Sequence, residues 1–340
     1  MADRYDSIPN QAQPSSTPAA EQNPTTSDGI DLRDFLTCMA WAGTGLLWTM
    51  VGGVPRSRLF AANGKAASGQ QGHAKAGAGF SFVQISDSHI GFTKAANQDV
   101  TGTLKRAIDK IDAIPETPDL LLHTGDISHS SKPAEFDTAQ QMLKQVKAGQ
   151  VFYVPGEHDT ASDDGALYLE RFGKGTMGTG WYSFNHQGVH FVGLNNSQQI
   201  DALGKLGAEQ LAWLRKDLAP LSASTPIVVF AHIPVWMVYP DWGWGTQDGA
   251  EALSYLKRFG SVTVLNGHIH QVVQKVEGNV SFHTAMSTAF PQPAPGKAPH
   301  PGPMVVPAGQ LSSVLGITEV RYVPKHSPLA IIDSSLEATV

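Results

Sequence analysis

The stretch QVFYVPGEHD, Gln150 to Asp159, decides how the rest of the chain reads. Val151 to Val154 is an apolar run with β-branched and aromatic side chains, which suits a buried strand. Pro155 and Gly156 stop it, and three ionisable side chains follow at once: Glu157, His158 and Asp159. Titratable groups crowded onto a turn at a strand end point to binding or chemistry more than to stability.

The arrangement recurs on both sides of this stretch. FSFVQISDSHIG (80–91), DLLLHTGDISHS (119–130), TPIVVFAHIP (225–234) and SVTVLNGHIH (261–270) are apolar runs that also end in polar clusters. Residues 98–114, 134–147, 207–218 and 248–259 carry helical apolar spacing between them. Strands alternating with helices give an α/β fold. Two hairpins interrupt the alternation, WYSFNHQGVHFVGLNN turning at Gln187-Gly188 and QVVQKVEGNVSFHTA turning at Gly278-Asn279, so the sheets are expected to be mixed. Residues 291–309 read as a Pro-rich loop and GITEVRYVP as a late strand.

In open α/β sheets the ligand site lies beyond the carboxyl ends of the strands. Asp87 and His89, Asp126 and His129, Glu157 to Asp159, His232, and His268 with His270 should therefore converge. One histidine alone is more often a hydrogen-bonded core or surface residue than a ligand, but five clusters at one topological position reverse that expectation. His123, His186, His190 and His283 sit inside strands and are read as structural.

Composition narrows the chemistry. The 340 residues carry a net charge of -6, which leaves no basic footprint for a nucleic-acid polymer. Cys38 is the only cysteine, which excludes a disulfide framework and a zinc-thiolate cluster, while 13 histidines favour nitrogen and oxygen ligation. Such ligands suit Mn, Fe, Zn, Ni or Co. They outnumber what one ion takes, and a two-metal site typically clamps phosphoryl oxygens during in-line displacement.

The order Asp87-Ser88-His89, Gly125-Asp126, Gly156-Glu157-His158-Asp159, His232, Gly267-His268-Ile269-His270 resembles the calcineurin-like metallophosphoesterase superfamily over about residues 80–285. In size and motif spacing it is similar to the class III cyclic nucleotide phosphodiesterases. The resemblance implies two stacked mixed β-sheets flanked by helices, a four-layer sandwich. It implies that Asp87, His89 and His270 hold a first metal, Asp126 bridges, and His232 and His268 hold a second. It places His158 beside the leaving group as acid or electrostatic stabiliser, oriented by Asp159, with a bridging hydroxide attacking phosphorus in line. The implied cofactors are two divalent or mixed-valence ions, iron and manganese first, with Zn, Ni or Co open. The implied substrate is a small phosphoester, a phosphodiester first, with no nucleic-acid polymer as partner; the oligomeric state stays open.

Two positions depart from the family pattern. Glu157 stands where the family has asparagine, a neutral oxygen ligand. A carboxylate there cancels the single positive charge that two divalent ions, two aspartates and a hydroxide would leave, and a trivalent iron would restore it. His129 stands where purple acid phosphatases have a tyrosinate, so it is a further possible ligand. Against these readings, Glu157 could point away or be protonated, and His129 could bond only to backbone. A non-hydrolytic metal-binding or interaction protein with a disabled phosphoesterase site is the alternative function. The aromatic loop after His232, with Trp236, Tyr239, Trp242 and Trp244, either lines a leaving-group pocket or packs locally.

Residues 1–30 are Pro, Gln, Ser, Thr and Ala rich and are expected to be disordered. Residues 31–60 read as an export signal or a membrane anchor: LRDFLT resembles a twin-arginine motif with Leu32 in place of the first arginine, and Phe35 to Val54 carries no charge. The protein is thus expected to be exported, to a periplasm, or held by this segment in the membrane; a buried helix is the remaining reading. Residues 61–79 read as a Gly/Ala linker, 80–326 as the catalytic domain and 327–340 as a C-terminal tail.

Overall fold

The structure, a computed structural model, describes residues 44–51, 54–61, 79–198, 202–324 and 329–337. Two units separate at His73. In the first, β1 (Thr44–Val51) pairs antiparallel with β2 (Val54–Ala61). The uncharged run at 35–54 thus contributes β1 from its second half, and its first half lies outside the described residues. The expectations for residues 1–30 and for the linker at 62–78 also lie outside them. No helix among the described residues is long and apolar enough to cross a membrane.

The second unit runs β3 (Phe80–Ile85), α1 (Val100–Asp112), β4 (Leu120–His123), α2 (Pro133–Leu143), β5 (Gln150–Tyr153), α3 (Glu157–Thr160), α4 (Ala166–Phe172), β6 (Tyr182–His186), β7 (Val189–Gly193), α5 (Ala208–Leu218), β8 (Ile227–Ala231), α6 (Gly249–Leu256), β9 (Val262–Asn266), β10 (Gln274–Glu277), β11 (Val280–Thr284), α7 (Leu311–Val314), β12 (Gly316–Tyr322) and β13 (Ala330–Ser335). Both hairpins form where the sequence places them: His186 pairs with Val189 and Glu277 with Val280.

The strands make two mixed sheets. One has the order β13-β12-β3-β4-β5 and the other β10-β11-β9-β8-β7-β6. β3, β4 and β5 are parallel, as are β7, β8, β9 and β11. Period-two alternation builds the layers. Phe82, Leu120, Leu122, Phe191, Val228, Phe230 and Leu265 form a core shared by the two sheets. Their neighbours Val83, Ile85 and Leu121 turn outward onto Leu104, Ile108 and Phe136 of α1 and α2, while Val192, Val229 and Val264 pack with Leu211, Leu214 and Leu256 of α5 and α6. Because both faces are covered, the central strands are predominantly apolar, with Gln84, His123, Thr263 and Asn266 as buried polar exceptions. Full burial of side chains this large contributes about 1.5–3 kcal/mol each.

Within the segment read as a C-terminal tail, the described residues include a strand. Residues 330–335 form β13, whose register with β12 runs from Gly316–Ser335 to Arg321–Ala330. The strand closes one edge of the first sheet, and its alternation is too weakly apolar to stand out in the sequence: Asp333, Ser334 and Ser335 are tolerated because an edge strand has one solvated side.

Candidate metal centre

Every cluster sits just past the carboxyl end of a parallel strand: Asp87 and His89 after β3, Asp126 and His129 after β4, Glu157 and His158 after β5, His232 after β8, His268 and His270 after β9. The backbone there is unusual. Eight non-glycine described residues have positive φ, and five of them are Asp87 (55°), His89 (41°), Asp126 (51°), His268 (69°) and His270 (54°). Left-handed backbone at a residue with a Cβ costs energy and collects at functional sites, where the surroundings hold it. Two glycines allow the close approach. A Cβ at Gly156 would collide with the Asp126 carboxylate, and one at Gly267 with the Ser86 hydroxyl.

The donors fall into two sets that share Asp126. In the first, His270 Nε2 lies 3.2 Å from Asp87 Oδ1 and 3.3 Å from His89 Nε2, and His89 Nε2 lies 3.5 Å from Asp126 Oδ2. In the second, His232 Nε2 lies 3.3 Å from the same Asp126 Oδ2 and 2.9 Å from Glu157 Oε2, while Glu157 Oε1 lies 2.9 Å from His268 Nδ1. The nitrogens not aimed inward are used elsewhere: His270 Nδ1 bonds the Phe290 carbonyl at 2.5 Å and His232 Nδ1 the Thr124 carbonyl at 2.8 Å. Tying one ring nitrogen to a carbonyl fixes the tautomer that leaves the other free to ligate.

The fit to metal is tested by atoms left without partners. Glu157 Oε2, His232 Nε2 and His268 Nδ1 are buried and lack a hydrogen-bond partner, although Oε2 lies 2.9 Å from His232 Nε2 and His268 Nδ1 lies 2.9 Å from Glu157 Oε1. Close approach without hydrogen-bond geometry is how ligands stand around an ion, and buried polar atoms left unpaired are costly otherwise. Glu157, His232 and His268, and likewise Asp87, His89 and His270, present donor atoms close enough to share one ion. Nitrogen and carboxylate donors without thiolate suit Mn, Fe, Zn, Ni or Co.

Electrostatics agree with ligation. Burial alone would raise Glu157, but His268 and His232 beside it hold its carboxyl well below the usual carboxylate range, so it is an anion. Asp87 is buried too, yet His270 lowers it to about 2. The Glu157 carboxylate thus turns toward His232 and His268 and does not point away.

Asp159 stands differently from expectation. His129 with His89 and His158 presents donor atoms close enough to share an ion, in a set that lacks Asp87 and His270. Its Nδ1 meets His89 Nδ1 at 3.3 Å, the ring nitrogen that His89 does not turn toward Asp126, and its carbonyl accepts from His158 Nδ1 at 2.7 Å. Burial and His158 lower the His129 imidazole to about 4, so it is neutral. Asp159 does not orient the His158 ring. Its carboxylate accepts from the amides of Ile127 (3.1 Å), Ser128 (2.8 Å) and Gly156 (3.0 Å) and from Ser128 Oγ (2.9 Å), which pins the β4 and β5 loops together. The residue is buried at the first turn of α3, where its side chain points into the loop behind the site. His158 is oriented by the His129 carbonyl instead. Burial opposes its charge, but Asp126 and Glu157 raise its imidazole above the ordinary value.

One contributor had no sequence signal. Phe290, inside STAFPQP, stacks on His89 (centroids 4.7 Å, 25°) and packs against His270 (4.8 Å), besides supplying the carbonyl for His270. In the aromatic loop, Trp236 and Trp244 are buried, Trp236 against Phe282 and Trp244 edge-on to Trp242. Local packing accounts for both. Each strand histidine has a side-chain partner, His123 Nε2 on Ser88, His186 on Asp119, His190 on Asp217 and His283 Nε2 on Asp333, while Nδ1 of His123 and of His283 is buried without one.

Comparison with known proteins agrees. A 3',5'-cyclic-nucleotide phosphodiesterase of Nostoc sp. is 26% identical over 216 residues, 62% of this chain and 79% of that protein. A probable glycerophosphodiester phosphodiesterase of Arcobacter nitrofigilis is also 26% identical, over 60% of this chain and 77% of its own. Among solved structures, a dimetal phosphatase from Danio rerio superposes with a TM-score of 0.54 at 14% identity, over 76% of this chain and 96% of its own. A purple acid phosphatase from Lupinus luteus reaches the same TM-score at 13% identity, over 83% of this chain and 54% of its own, and both likenesses show the shared fold. The profile of the calcineurin-like phosphoesterases matches residues 80–272, which takes in every cluster of the site, and the chain belongs to that family of metal-dependent hydrolases.

Proposed function

We propose that the chain hydrolyses a small phosphodiester with two metal ions, the first held by Asp87, His89 and His270, the second by Glu157, His232 and His268, with Asp126 shared. The observation that carries this is the meeting of two donor sets on one oxygen of Asp126, with His158 beside them on the other oxygen of the same carboxylate. Bound at these positions, two metal ions would supply Lewis-acid polarisation of the phosphoryl group and a water acidic enough to act near neutral pH. The protein groups do the rest. Asp126 sets the spacing between the two positions, and its Oδ1 accepts from the His158 amide at 2.9 Å, which fixes where α3 begins. With Nδ1 spent on the His129 carbonyl, His158 can give the proton on Nε2 to the departing oxygen. His129 serves as a partner that holds the His89 ring, which leaves its ligand reading aside.

The diester class is supported by the two relatives above, which are named for cyclic nucleotides and for glycerophosphodiesters. Iron and manganese are the favoured ions, because three carboxylates around the pair call for hard or highly charged cations. The experiment is hydrolysis of bis(p-nitrophenyl) phosphate by protein loaded in turn with Mn, Fe, Zn and Ni. Turnover of the diester above a monoester control is expected; turnover confined to the monoester would sink the diester reading. Export is proposed from the N-terminal segment alone: residues 1–79 should carry a reporter across the cytoplasmic membrane, and Arg33→Ala should stop it. Transport indifferent to Arg33 would refute the twin-arginine route.

A further inference from the structure

The two donor sets match group for group. Each has one carboxylate of its own, Asp87 beside His270 in the first and Glu157 beside His232 and His268 in the second. Each has two imidazoles, His89 with His270 and His232 with His268. In each, one imidazole is locked by a backbone carbonyl, His270 by Phe290 and His232 by Thr124. The shared oxygen, Asp126 Oδ2, lies 3.5 Å from His89 Nε2 and 3.3 Å from His232 Nε2, near the middle of the pair. An amide at position 157 would break the match by leaving the second set one anion short.

Resting on the two-metal reading above, we infer that the two metal positions are electrostatic equivalents, so that the chain binds two identical divalent ions with closely similar affinity. Affinity for a divalent ion at a nitrogen and oxygen site follows the charge and number of its ligands. Equal charge and equal donor type on the two sides remove the main reason for one position to fill well before the other. The third carboxylate also offsets the repulsion that a first bound cation exerts on a second. Glu157 is thereby the residue that makes the second position the equal of the first. The positions differ in access: the Asp87 side chain is fully buried, whereas Glu157 is 23% exposed. Equal affinity with unequal access means that the second position should exchange its ion faster.

The test is calorimetric titration of the chelator-stripped full chain with Mn²⁺ alone, together with Glu157→Asn, Glu157→Gln and Asp87→Asn. The parent is expected to take two ions with dissociation constants within about tenfold. Each variant is expected to keep one of them and to weaken the other by more than about tenfold, the loss that even an outer partner of a ligand can cause. Asp87→Asn and Glu157→Asn should mirror one another. Folding of each variant is checked by its thermal transition, and Glu157→Gln, nearly isosteric, serves if another variant fails to fold. Parent affinities more than about a hundredfold apart, or unchanged titration of both position-157 variants, would overturn the inference. A parent that takes up no Mn²⁺ would overturn it together with the two-metal reading, whereas one tight and one weak site overturns the equivalence alone.

Discussion

The two halves of the proposed metal centre offer the same donor types but are packed differently. Around Asp87, His89 and His270 the protein is closed: Phe290 covers two of the rings, His129 stands behind His89, and the side chains are nearly inaccessible. Around Glu157 and His268 it is more open, with side chains 23% and 13% exposed. The first half is held in place by the protein core, and the second joins the buried His232 after β8 to two rim side chains, from the first turn of α3 and the loop after β9. Identical chemistry in two environments separates what ligation contributes from what burial contributes. The closed half should tolerate ligand loss badly in both metal content and stability, the open half in metal content alone.

The largest effect is expected from removing one ligand of either half. His89→Ala and His268→Ala should each lower bound metal and abolish turnover, measured by mass-spectrometric metal analysis and diester hydrolysis, and His89→Ala should also lower the melting temperature more than His268→Ala. Equal melting in both would break the comparison of the halves. His158→Ala should keep both ions and lose about 10²- to 10⁴-fold in rate, the contribution of a positioned acid. Because His158 must be protonated to act, the parent should lose activity as pH rises through its elevated imidazole pKa, and this alkaline limb should vanish in the variant. Loss of metal from His158→Ala would return the residue to the ligand set.

The next effect concerns Asp159, which joins the loops beneath both halves. Burial and the Asp126 charge push its carboxyl up to about 6 in the metal-free protein, against the opposing amides of Gly156, Ser128 and Ile127. A folded pKa raised above the unfolded value contributes stability that is fully present below about pH 4 and is lost as pH rises through 6. The metal-free parent should therefore lose stability relative to Asp159→Asn over that interval, by at most about 3 kcal/mol. Urea titrations at several pH values check this, and a difference that does not vary with pH would contradict it. The smallest effect is expected at His129, which touches only the closed half. His129→Phe should weaken one metal position by about 10- to 100-fold without altering the other, as loss of a ligand's outer partner does. Uniform weakening of both would mean that His129 acts on the whole site.

Much of this was legible in the sequence, and the limits have physical causes. The strands ending in polar clusters could be read because burial on both faces makes them continuous apolar runs, and such runs stop abruptly where the backbone turns left-handed at Asp87, Asp126 and His268. The hairpins could be read because Gln187-Gly188 and Gly278-Asn279 supply the turn chemistry. Strand β13 could not, since an edge strand need not be apolar. The role of Asp159 was misread because adjacency in sequence to His158 says nothing of direction: successive residues on a helical turn point about 100° apart, so one faces the site while the next faces the loop behind it. Phe290 escaped notice because a lone aromatic in a Pro-rich stretch carries no periodicity, and its place over His89 depends on a contact across two hundred residues of chain.

The most direct test of the central claim is metal content and turnover measured on one preparation. The purified full chain should contain two metal ions, lose diesterase activity when a chelator strips them, and regain it in proportion as both are restored with Mn²⁺. Diester hydrolysis that persists undiminished in metal-free protein would contradict the account.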